Sequence, residues 1–99
     1  NPELKIVLLD PFVLQTGRLK EYQDWVSRRA SIDKFCKVVE RLARKYDAVH
    51  VRTQDIFDLA ASAVSPEHWI WDGVHPLPQG HELIARNWLQ EVSIRWNDS

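Results

Sequence analysis

The sequence predicts an α/β fold in which two short parallel strands carry flanking helices. Three observations point there. Residues 4–9 (Leu-Lys-Ile-Val-Leu-Leu) form a nearly unbroken apolar run, as in strands covered on both faces, and Asp10-Pro11 ends it. Residues 48–51 (Ala-Val-His-Val) form a second short run. Between them apolar residues recur at helical spacing, and strand, helix and strand in that order make a right-handed crossover between parallel strands.

After the first strand, Asp10, Pro11 and Phe12 leave its carboxyl end, where open α/β sheets bind ligands. Phe12 is therefore a candidate wall of a substrate pocket, the alternative being a hydrophobic plug beneath the loop. Gly17 marks a turn within residues 15–18. Leu19, Tyr22, Trp25 and Val26 then recur at helical spacing and predict a helix over residues 20–29. Ser27, Arg28 and Arg29 at its end suit either an anionic substrate or, more simply, a solvated helix terminus with cations toward the macrodipole.

Ser31 reads as the N-cap of a second helix, with Asp33 in its first turn and Ile32, Phe35, Val39, Leu42 and Tyr46 in one stripe beside Cys36 and Ala43. Asp47 marks its exit. His50, between two valines of the second strand, reads as a hydrogen-bonded structural histidine. Ile56, Phe57, Leu59 and Ala60 predict a short helix, and Asp55 before them is a carboxylate near a strand end. Ser65-Pro66-Glu67-His68 is a helix-start signature that opens only one turn, because Trp69-Ile70-Trp71 comes at once after it. A closing helix over residues 78–96 has Pro78 in its first turn and Leu83, Ile84, Trp88, Leu89 and Val92 toward the core.

Composition narrows the class. Ninety-nine residues, 44% of them hydrophobic, with three glycines, fit one globular unit. The net charge is −1 with both signs interspersed, which gives no footprint for nucleic acid, and no apolar run approaches the ~20 residues of a membrane helix. Cys36 is the only cysteine, so an internal disulfide is excluded, and its helical spacing makes it a small core residue. The chain has no methionine and opens directly before a strand, as a piece of a longer polypeptide would.

The most informative stretch is Trp71-Asp72-Gly73-Val74-His75-Pro76, continuing through Pro78 and Gly80-His81 into the last helix. An acid three residues before a histidine, in a short loop bounded by Gly and Pro, can accept the imidazole Nδ1 proton and leave Nε2 outward. That is the acid and base of a nucleophilic triad. Asp72-Gly73-Val74-His75-Pro76, with Pro78 and Gly80-His81-x-Leu83-Ile84-Ala85, resembles the last block of the SGNH or GDSL hydrolases, near their acetylxylan-esterase-like members.

The resemblance implies the C-terminal portion of a flavodoxin-like, three-layer α/β/α SGNH hydrolase fold, with residues 1–99 as the C-terminal half of one domain. It implies Asp72 as triad acid and His75 as base, in a serine esterase acting on a small acyl ester without a cofactor, and its acetylxylan-esterase-like wording points to acetylated carbohydrate. Trp71, beside the pair, is a second candidate for the substrate wall. One departure is Leu77, where the family commonly has a residue that caps the following helix, a loss worth about 1 kcal/mol.

The family's nucleophile block, Gly-Asp-Ser, and its oxyanion Gly and Asn are not found in this sequence. The N-terminal half of the domain is therefore the expected partner, supplying Ser, Gly and Asn. The 99-residue chain alone is expected to be inert, since losing one triad member costs on the order of 10⁴ in turnover. Two readings from other classes compete: a non-catalytic interaction module on the same fold, and a metal site at Asp72, His75 and His81, with His68 nearby.

Overall fold

A computed structural model of the chain describes residues 4–96. Its two strands, β1 (Val7–Leu9) and β2 (Val49–Val51), pair in parallel with Val7 opposite Val49 and Leu9 opposite Val51. The ladder extends at both ends: Val49 donates its N–H to the Ile6 carbonyl (2.9 Å) and Asp10 donates to the Val51 carbonyl (3.1 Å). β1 is shorter than the apolar run predicts, because β2 offers only three residues between a tight turn at Asp47 and a helix at Thr53.

One continuous helix, α1 (Tyr22–Lys45), makes the crossover. The sequence predicts two helices divided at Ser31, and the structure corrects this. No Gly or Pro interrupts residues 22–45, so Ser31 stays mid-helix, and Ser27, Arg28 and Arg29 lie within the helix rather than at its end. The exit is as abrupt as Asp47 suggests. Asp47 takes the left-handed conformation (φ 52°), Ala48 donates to the Ala43 carbonyl (2.8 Å) and Asp47 to that of Arg44 (3.4 Å), which is a Schellman motif with Asp in the usual glycine position.

The buried side of α1 also differs from the predicted stripe. Ala43 is buried and Ile32, Cys36 and Val39 are half-buried, whereas Phe35, Val38, Leu42 and Tyr46 are exposed. The helix thus has two apolar faces, and only one is packed. On the other, Leu42 and Tyr46 line an open apolar hollow with Ile6 and Leu8 of the β1 side. The radius of gyration is 14.7 Å, against about 13 Å for a compact chain of this length.

After β2, α2 (Thr53–Ala63) places Phe57 fully inside, and α3 (Pro78–Arg95) closes the chain. The core is Leu14, Phe57 and Ile70, with Phe12, Trp69, Leu83 and Ile84 packed around it. Leu89, assigned to the inner face of the last helix, is exposed. Ser65 does not cap the following turn (Pro66–His68); its hydroxyl donates to the Glu67 carboxylate instead (2.5 Å). No described helix is long and apolar enough to cross a membrane.

Candidate active site

Residues 70–76 form a closed loop. Ile70 and Pro76 pair as an antiparallel bridge, and Leu77 donates its N–H to the Trp69 carbonyl (2.9 Å), so both ends of the loop are pinned before α3 begins. Gly80, in the first turn of α3, permits this closure: a Cβ there would lie 2.5 Å from the Trp69 carbonyl oxygen. Leu77 provides no side-chain cap, as its sequence position implies. The backbone closure holds the helix start instead.

Within the loop, Asp72 points inward and His75 outward. Asp72 Oδ1 accepts the backbone N–H groups of His75 (2.7 Å) and Val74 (3.1 Å), and its Oδ2 lies 2.5 Å from His75 Nδ1. The carboxylate is thereby fixed by its own loop before it orients the ring. The His75 backbone N–H is the main influence on Asp72; desolvation opposes it, and the imidazole and the Val74 N–H assist, leaving the carboxyl pKa at about 2. Asp72 is therefore ionised at neutral pH. In the neutral imidazole, an ionised acceptor at Nδ1 places the ring proton on that nitrogen and the lone pair on Nε2.

Exposure separates the two ends of the pair. The Asp72 side chain is 10% exposed and that of His75 is 73% exposed. A base must reach a substrate-side proton, and its orienting acid must not be competed for by water, so this gradient has the sense that proton transfer requires.

The chain holds a second Asp–His pair, and it lacks that gradient. His50 Nε2 lies 2.6 Å from Asp10 Oδ1, with side chains 11% and 5% exposed. His50 sits in β2 and Asp10 just past β1, so the pair joins the two strands within the interior. The structural reading of His50 is the one its position supports.

The loop after β1 braces the 70–76 loop from below. Gln54, almost wholly buried, accepts the Val13 N–H (2.8 Å) and donates to the Val13 carbonyl (2.9 Å), while Leu14 donates to the Gly73 carbonyl (3.1 Å). Gly17 has φ 54°, and a Cβ on it would lie 2.5 Å from Asp72 Cα. Gly73, with φ 93°, rests against the Leu19 side chain. The sequence predicts a turn at Gly17 but carries no signal for its contact with Asp72, nor for Gln54, because both depend on which loops the fold brings together.

The other candidate residues have different surroundings. Trp71 is exposed beside the pair. Phe12 packs on Phe57, with ring centroids 4.8 Å apart, within the core below the loop. Asp55 is in the first turn of α2, where it suits the helix dipole. Cys36 is half-buried and burial pushes its thiol up to about 11, which leaves it protonated. The metal grouping does not assemble: among the described residues no three His, Cys, Asp or Glu side chains could hold an ion, and His68 stacks edge-on against Trp69.

No protein-family model matches the chain. It is 31% identical, over 91 residues, to an acetylxylan esterase of Geobacillus stearothermophilus, an overlap of 92% of this chain and 39% of that protein. It superposes on the crystal structure of a GDSL-like lipase from Parabacteroides merdae with a TM-score of 0.81 and 32% identity, covering 93% of this chain and 41% of that one. The Geobacillus esterase structure superposes with a TM-score of 0.71 and 30% identity, over 89% of this chain and 37% of that one. Solved catalytic mutants of that esterase replace a serine, an aspartate and, three positions after the aspartate, a histidine. The chain spans about two-fifths of the length of the relatives it matches. The two parallel strands and three α-helices among the described residues have the α/β arrangement of these GDSL-type neighbours.

Proposed function

The chain matches the C-terminal part of an SGNH/GDSL-type esterase domain, and on that premise we propose that Asp72 and His75 are the acid and base of a serine esterase acting on acetylated carbohydrate. The observation that carries this reading is the orientation of His75: Nδ1 held by an ionised, largely buried Asp72, and Nε2 left to solvent. The spacing of the pair equals that of the aspartate and histidine changed in the catalytic mutants of the Geobacillus esterase.

In this mechanism His75 Nε2 takes the proton of a serine hydroxyl supplied by the rest of the domain. The serine oxygen attacks the ester carbonyl, and His75 then gives the proton to the departing alcohol oxygen. Water, deprotonated by the same nitrogen, attacks the acyl-enzyme carbonyl, and His75 returns that proton to the serine oxygen as the acid leaves. Asp72 holds the ring in one tautomer and stabilises the imidazolium that forms in each half-reaction. Trp71 supplies an apolar wall for the ester.

The rest of the domain has a place to dock. Residues 1–99 form the C-terminal half, and the open hollow of Ile6, Leu8, Leu42 and Tyr46 beside the outer edge of β1 is the surface the other half covers. The reading is tested by assaying the full-length protein against acetylated xylo-oligosaccharides and 4-nitrophenyl acetate. Acetate release from both is expected, and a protein inert toward both is no esterase.

A further inference from the structure

Beside the triad loop lies a cleft of about 490 Å³ that the proton-transfer steps above do not use, lined by Arg18, Leu19, Asp24, Ser27, Arg28 and Ser31. One wall is the turn Gly17–Leu19, which rests on the loop through Gly17 against Asp72 and Leu19 against Gly73. The other is the first half of α1, where Asp24, Ser27, Arg28 and Ser31 recur at i, i+3, i+4 and i+7 and so share one face.

That face changes character along the helix. Toward the C-terminus it continues through Phe35, Val38, Leu42 and Tyr46, an apolar strip suited to dry packing. At the end next to the loop it carries two hydroxyls, a guanidinium and a carboxylate, groups that are costly to bury against an apolar partner. Among the described residues neither Arg18 nor Arg28 forms an ion pair, whereas Arg29, on the neighbouring face, is held by Asp58 and Asp33. Two guanidiniums against the single Asp24 carboxylate leave the cleft with an excess positive charge.

From this arrangement we propose that the cleft is a substrate subsite that takes the carboxylate of an acidic saccharide, so that the preferred ester is an acetylated oligosaccharide carrying a uronic acid. Arg18 and Arg28 bind the carboxylate from two sides. Ser27, Ser31 and Asp24 bond ring hydroxyls, and the contact of the Gly17–Leu19 turn with the loop fixes the distance from the anchored sugar to His75. This inference rests on the esterase reading and extends it to substrate choice.

The test uses the full-length protein and an Arg18→Gln/Arg28→Gln double variant, with Arg28→Lys as the charge-retaining control. The native enzyme is expected to favour a uronic-acid-bearing acetyl oligosaccharide over its neutral counterpart in kcat/KM by about tenfold, the scale of one charge-assisted hydrogen bond. The double variant loses that preference, and Arg28→Lys keeps part of it. Equal kcat/KM on the acidic and neutral esters, or a preference that survives the double substitution, overturns the proposal. Binding of sodium glucuronate, monitored by NMR, separates this inference from the esterase reading. Saturable shifts that weaken in the double variant support the subsite even in a protein inert toward esters, and no shift overturns it even in an active one.

Discussion

Replacing His75 by alanine in the full-length protein is expected to lower ester turnover by on the order of 10⁴-fold or more, with little change in stability. The two halves of this expectation come from different contacts. His75 is mostly solvent-exposed and, among the described residues, its ring bonds only Asp72, so removing it opens no cavity. Asp72 keeps the two backbone N–H groups of Val74 and His75 and remains a satisfied carboxylate. The missing group is the one that moves the proton. Steady-state kinetics on 4-nitrophenyl acetate, with a urea titration beside them, check both halves. Activity within tenfold of native removes His75 from the mechanism, and a large loss of stability would mean that the loop depends on the ring.

The opposite pattern is expected for the other histidine. His50→Ala leaves Asp10, which is 5% exposed, without the one side chain its carboxylate bonds among the described residues. A buried carboxylate deprived of its partner costs about 3 kcal/mol, and the urea midpoint should fall accordingly with an unchanged slope. The additional change Asp10→Ala should restore part of the loss, because it removes the stranded charge together with its partner. A midpoint shift corresponding to less than about 1 kcal/mol contradicts the pairing. The two Asp–His pairs thus serve as controls for each other: the exposed ring matters to turnover and the enclosed one to folding.

The parts of this fold legible in the sequence are those fixed by local chemistry. The two apolar runs, the helix exit at Asp47 and the Pro-led starts at Pro66 and Pro78 all arise from residues within a turn of each other. The Asp72–His75 contact is legible for the same reason, since both groups lie in one four-residue span. The features that depend on packing are not. Ser31 reads as a helix start because serine serves equally well as a cap and on the surface of a continuing helix, and only the backbone before it decides between the two. Phe35, Leu42 and Tyr46 read as core by periodicity, yet they face outward, because periodicity reports which residues share a face and not which face is covered. The buried Gln54 clamp on Val13 joins residues 41 apart, and no local pattern announces it.

The central claim is that Asp72 and His75 activate a serine nucleophile, and covalent trapping tests it most directly. The full-length protein and its His75→Ala variant are incubated with an alkyl fluorophosphonate and their intact masses measured over time. Stoichiometric addition of one phosphonyl group to a serine of the native protein, slowed by on the order of 10³-fold or more in the variant, is the predicted result. A native protein that takes up no label, or labelling at the same rate in both proteins, would show that this pair does not serve a nucleophile.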